Sequence, residues 1–208
     1  MNIHRRMILG AGAGLGLLGL AGGAMTLRAR ADEFTVDDVL HDPDSPVLGN
    51  PDGDVTIVEY FDYQCPFCKK NHPTLTQVVE ADGNIRLVMK DWPIFGAPSV
   101  YASQLVLGTV GRGEYEKANS ALMATEAKLS NDQISTVLTE AGIDVAAAQE
   151  AYRGARDKWD GLLARNASQA AQMGLRGTPA FIIGRAIYPG ALDAATLQGA
   201  ISEARKPS

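Results

Sequence analysis

The two cysteines of the chain stand together as Cys65-Pro66-Phe67-Cys68, where an apolar, strand-like run gives way to a helical one. A thiol at a helix N-terminus faces backbone N–H groups that lack intrahelical partners, and the positive end of the helix dipole. Both favour thiolate over thiol, and the thiolate is the nucleophile of disulfide exchange. Cys65, at the helix start, is therefore the candidate nucleophile, with an exposed sulfur. Cys68, one turn further in, is the candidate resolving thiol. A purely structural disulfide across so short a loop stabilises little. Cys65, Cys68 and His72 also have ligand-like spacing. Tetrahedral zinc, however, wants a fourth ligand or a deliberately open site, and nothing places His41 nearby. No metal or other cofactor is expected, and His72 reads as a helix-surface residue.

Glu59 lies inside the run Val55-Thr56-Ile57-Val58-Glu59-Tyr60-Phe61, where a charge is costly. Burial raises a carboxyl pKa, which suits Glu59 to pass a proton to and from Cys68. Lys90, ending the neighbouring strand-like run, is its candidate partner. The alternative is a Glu59 that reaches solvent at the strand end. Tyr63, Phe67 and Trp92 fit either an apolar rim for unfolded chains or the core.

These residues need a scaffold. The β-branched and aromatic run 55–61 predicts a strand buried on both faces. A helix follows from Cys65 to about Glu80, with Pro66 suited to its first turn and Pro73 expected to kink it. Ile85–Met89 is a second strand, completing a βαβ unit with a right-handed crossover. Beyond Asp91 the pattern turns helical, with helices expected over 100–110, 114–124, 145–154 and 156–173. Ser130-Asn131-Asp132-Gln133 is a capping-box pattern, and Ile134, Val137, Leu138 and Ala141 follow at the spacing of one buried face. Strand character returns at Ala180–Ile183 and, after a turn at Gly184-Arg185, at Ala186–Tyr188. Asp193 can cap a last helix whose apolar stripe is Leu197, Ala200, Ile201 and Ala204. The order is βαβ, a helical block, then ββα.

Ahead of this lies a different kind of sequence. Arg5 and Arg6 precede an uncharged Gly-, Ala- and Leu-rich stretch from Met7 to Leu27, and Ala29-Arg30-Ala31 has the small-x-small pattern of a signal peptidase site. Residues 1–31 read as a signal peptide; an uncleaved segment would instead be a membrane anchor. Its removal leaves 15 basic against 24 acidic residues, a net charge of −9. That surface argues against nucleic-acid binding. Export also places the chain where a lone cysteine pair can hold a disulfide. Residues 32–54 are acidic and turn-rich, and read as a surface-hugging segment with at most a short helix over 36–40.

The layout resembles the DsbA-like family of exported thiol–disulfide oxidoreductases. Three stretches carry the resemblance, which spans nearly all of residues 45–205: Glu59-Tyr60-Phe61-Asp62-Tyr63-Gln64-Cys65-Pro66-Phe67-Cys68, Lys90-Asp91-Trp92-Pro93-Ile94, and Gly177-Thr178-Pro179-Ala180-Phe181. It implies an α/β, thioredoxin-like fold whose core is 55–90 and 177–205, with residues 91–176 as a helical insertion. It also implies a cis Thr178–Pro179 peptide beside the sulfurs, and an acid six residues before the first cysteine, here Glu59, serving Cys68. The catalytic set so implied is Cys65, Cys68, Glu59 and Pro179; Thr178, Phe67 and Pro66 would meet substrate. Strongly oxidising members commonly carry His where Phe67 stands, and Thr before the cis-proline occurs in isomerases and reductase-like members. The expectation is a periplasmic, monomeric oxidase of cysteine-containing exported proteins, turned over by a membrane redox partner. The alternatives are an isomerase or reductase of the same family, a metal-binding carrier, or a redox-inert chaperone.

Overall fold

The computed structural model describes residues 34–207, so the signal-peptide expectation for 1–31 lies outside the described residues. Among the described residues five strands form one sheet, with β2 (Val55–Phe61) at its centre. Its neighbour β3 (Ile85–Asp91) runs parallel to it, after the crossover helix α2 (Pro66–Asp82). On the other side β4 (Ala180–Ile183) runs antiparallel to β2, and β5 (Ala186–Pro189) closes that edge as a hairpin partner. The last helix, α8 (Ala194–Ala204), starts where the Asp193 carboxylate accepts from the Thr196 N–H.

Between the sheet halves lie α3 (Ala97–Gly108), α4 (Tyr115–Met123), α5 (Asn131–Glu140), α6 (Val145–Gly154) and α7 (Arg156–Gln172). These are the expected helical insertion. Ser130 and Gln133 form the capping box of α5, each side chain bonding the other's backbone N–H. A Cβ on Gly108 would lie 2.0 Å from the Ala148 carbonyl oxygen, so glycine is what lets α3 and α6 meet backbone to backbone. α2 remains a single element across Pro73.

The sheet is covered on both faces. Ile57, Phe61, Leu87, Met89 and Phe181 pack under α2, α8 and the insertion. Val58, Tyr60, Val88, Ala180 and Ile182 face α7 and a short helix α1 (Val36–Leu40), which supplies Val39. Side chains alternate between faces along each strand, and the β2–β3 register pairs Glu59 with Met89 and Tyr60 with Lys90. Lys90 thus lies on the opposite face from Glu59, which corrects the expected pairing.

The acidic segment is built in more firmly than expected. Val47–Gly49 forms β1, antiparallel to β3. Asp42 is buried and receives Arg165 of α7 in a two-pronged contact, Nε to Oδ2 and Nη2 to Oδ1, both 3.0 Å. The fully buried Lys90 ammonium lies 3.5 Å from the same carboxylate.

Candidate active site

Cys65 is the N-cap of α2, and its own N–H closes a turn on the Asp62 carbonyl. Asp62 fixes what surrounds that turn. One carboxylate oxygen accepts from the Gln64 N–H and the Ser99 hydroxyl, each at 2.7 Å; the other accepts from the N–H groups of Ile94 (2.6 Å) and Phe95 (3.1 Å). The segment after β3 is thereby held against the cysteine motif. Two further residues clasp the linker between α4 and α5. Gln64 gives its amide N–H to the Leu129 carbonyl and accepts the Leu129 N–H, and the Lys69 ammonium donates to the Ala127 carbonyl at 2.6 Å.

The cis Thr178–Pro179 peptide lies beside the pair, and the Cys65 thiol donates to the Thr178 carbonyl at 3.2 Å. Both cysteines are free thiols. Cys65 is 1% exposed and Cys68 0%, so the expectation of an exposed Cys65 sulfur is corrected: the cis-proline segment covers it. Phe67, 63% exposed, and Pro66 face outward. Tyr63 is buried and Trp92 half-buried, edge-on to Tyr60, so neither supplies the rim. The exposed apolar side chains near the motif are instead Ile94 and Phe95, on the segment Asp62 holds, with Lys128 over the Phe95 ring. The cis-proline segment also borders an open cleft of about 430 Å³, lined by Met173, Leu175, Thr178, Pro179 and Ile187.

The electrostatics divide the two sulfurs. The Cys65 thiol is brought down to about 6, chiefly by the Cys68 thiol donating to its sulfur. Burial opposes this; the Thr178 hydroxyl and the N–H groups of Cys68 and Phe67 reinforce it. Cys68 moves far upward, through burial first and then its place beside the Cys65 sulfur and Glu59. Glu59 is 1% exposed, and burial, with the Cys65 negative charge adding to it, raises its carboxyl to about 8. His72 is buried, with its pKa lowered by that burial, and is not the surface residue expected. Its i+4 relation to Cys68 puts it on the covered face of α2, a signal already present in the sequence. Among the described residues no group of three or more His, Cys, Asp or Glu side chains is arranged to hold a metal ion.

A thiolate titration checks this division. In the reduced protein the ultraviolet thiolate absorbance should rise with a midpoint near 6. In Cys68→Ala, which removes the largest cause, that midpoint should climb toward the ordinary thiol range of about 8.5. An unmoved midpoint would show that the helix terminus alone sets the Cys65 acidity.

A βαβ and ββα sheet with a Cys-x-x-Cys pair capping its crossover helix, opposite a cis-proline, defines a dithiol protein with the thioredoxin fold. The chain belongs to the DSBA-like thioredoxin domain family, which it matches over residues 56–202. Among solved structures it is 35% identical to a thioredoxin-like oxidoreductase from Silicibacter pomeroyi, with 84% of this chain and 100% of that one covered and a TM-score of 0.80. It is 27% identical to a periplasmic thioredoxin-like protein from Salmonella enterica serovar Typhimurium (81% and 94% covered, TM-score 0.71). It is 26% identical to the thiol–disulfide exchange protein alpha-DsbA2 from Wolbachia pipientis (80% and 90% covered, TM-score 0.75). The chain spans about a quarter of the length of the curated relatives it matches, Na(+)/H(+) antiporters such as NhaA 1 of Mycobacterium sp., 27% identical over 162 residues. Among the described residues no helix is long and apolar enough to cross a membrane.

Proposed function

We propose that this chain is a periplasmic thiol–disulfide oxidoreductase that donates the Cys65–Cys68 disulfide to cysteines of exported proteins. The observation that carries the reading is the unequal setting of the pair: Cys65 caps α2 with its sulfur against the Thr178 carbonyl, which goes with a lowered thiol pKa, whereas Cys68 is fully buried, which pushes its thiol up. Stabilising the Cys65 thiolate stabilises the reduced form, which makes the disulfide the stronger oxidant.

The reaction starts from the oxidised pair. A substrate thiolate attacks Cys65 Sγ; the Cys65–Cys68 bond breaks as the mixed disulfide forms. Cys68 leaves with the bonding electrons and takes a proton from Glu59. A second substrate thiolate then attacks the substrate sulfur of the mixed disulfide, a substrate disulfide forms, and Cys65 leaves as thiolate. The substrate loses two electrons, and the dithiol passes them to a membrane redox partner. Pro179 and the Thr178 backbone hold the substrate segment extended beside Cys65, in the manner of an added strand, while Pro66, Phe67 and the Ile94–Phe95 rim take its apolar side chains.

One observation favours a second reading, a reductase or isomerase of the same family. The Phe67 side chain, between the two cysteines in sequence, offers neither a hydrogen bond nor a charge to the Cys65 thiolate. Equilibrating the pair against glutathione separates the two: a potential around −120 mV supports disulfide donation, and one around −270 mV overturns it in favour of reduction.

A further inference from the structure

Behind the cysteine pair lies a buried polar cluster that the exchange steps above do not use beyond Glu59. Asp91, at the end of β3, shares the β2–β3 face with Glu59, since the register pairs it with Phe61. Its Oδ2 faces the Tyr115 hydroxyl of α4 at 3.5 Å, and Asn119, one turn further along α4, donates to the Tyr63 hydroxyl at 3.2 Å. Glu59, Tyr63, Asp91, Tyr115 and Asn119 are all buried. Three of their oxygens, Glu59 Oε2, Asp91 Oδ1 and Asn119 Oδ1, meet no protein donor. Buried oxygens in polar surroundings are ordinarily completed by ordered water, because leaving them bare costs about 1–3 kcal/mol each.

We infer that Asp91 is a positioning residue for the exchange reaction proposed above: through Tyr115, Tyr63 and ordered water it sets the charge and hydrogen bonding that Glu59 meets, and so the ease with which Cys68 loses its proton. The inference rests on that reading of the site. The titratable groups facing the cluster are Glu59 from β2, Asp62 and Tyr63 after it, Cys65 and Cys68 from α2, and Tyr115 from α4. α3 contributes the neutral Ser103 and α7 the neutral Asn166, which donates to the Asp91 carbonyl. The Lys69 ammonium donates to the Ala127 carbonyl rather than to this cluster. Tyr63 and Tyr115 each feel both acids, which makes them the link between them. Burial, with Asp62 adding to it, raises Asp91 to about 7.

The test is single-turnover oxidation of the reduced protein by oxidised glutathione, followed against pH. The Cys65 thiolate attacks oxidised glutathione, whose S–S bond breaks, binding one half as a mixed disulfide and releasing the other as thiolate; Cys68 then attacks Cys65 Sγ, its proton passing to Glu59, and the bound glutathione leaves as thiolate. The rate of that second phase reports Cys68 deprotonation. Asp91→Asn keeps the shape and removes a negative charge, so the midpoint of this phase should move to lower pH by about half a unit or more, roughly threefold in rate on the acidic limb. Tyr115→Phe should move it the same way by less, and the double variant should add nothing to Asp91→Asn. If both single variants leave the midpoint in place while Glu59→Gln displaces it, the inference about Asp91 falls and Glu59 stands. If Glu59→Gln also leaves it in place, the proton role of Glu59 falls too. A wild-type protein with no second phase overturns the exchange reading itself.

Discussion

Cys65→Ser should reduce insulin reduction, and disulfide formation in a reduced substrate, to the rate of buffer alone. The expected loss is complete because a serine oxygen cannot form or leave the mixed disulfide. The remaining Cys68 should not substitute: burial and Glu59, both unchanged in the variant, hold its thiol above the ordinary range. Turnover of both reactions is measured with purified protein, alongside circular dichroism to show that the variant is folded. Retained activity in Cys65→Ser would remove Cys65 from the nucleophile role and with it the proposed function. Cys68→Ser, by contrast, should accumulate mixed disulfides through Cys65, because nothing resolves them.

Asp42→Ala has the largest expected effect on stability, about 3–5 kcal/mol. Lys90 lies fully inside the fold, with Asp42 as its ion-pair partner at 3.5 Å. Burial already lowers the Lys90 ammonium to about 8, against the pull of Asp42. Without that carboxylate the lysine must remain as an uncompensated buried cation or give up its proton. Arg165 loses its two-pronged partner at the same time, keeping only Asp44. Domains of ordinary size have about 5–15 kcal/mol in total, so the urea midpoint should fall sharply. Lys90→Met in the Asp42→Ala background should recover most of the loss. A loss under about 1 kcal/mol would show that water reaches Lys90 and that the acidic segment is not needed to hold it.

Much of this architecture can be read from local sequence, and the limits have a common cause. The run 55–61, the capping box at Ser130 and the cap at Asp193 are decided by residues within one or two turns, and each element forms where its own side chains dictate. The strand β1 is only three residues long and exists because β3 offers it a free edge, which no local pattern records. Lys90 illustrates the same limit at the level of one side chain. Its face depends on the register between two strands joined by a 17-residue helix, and a shift of one residue reverses it. The cysteines and Glu59 are legible because each carries a chemical type out of place in its surroundings, and Thr178–Pro179 through the family resemblance. Asp62 and Asp91 are not, because their partners come from residues 94–99 and from α4, brought there by the insertion.

The sheet ends in two short borders, β1 with three residues and β5 with four, the latter finishing at Pro189. A proline on an outer strand withholds one N–H from any neighbouring chain, and short borders give little length for pairing. Under the proposed function, the protein would have to touch extended backbone beside Pro179 without letting the same backbone zip onto its own flanks. Here the hairpin that closes one flank is also tied to the cis-proline segment, since the Gly190 N–H donates to the Pro179 carbonyl. On that proposal, the strand border that discourages co-aggregation is fastened to the segment that would hold the client, and the two cannot be redesigned independently.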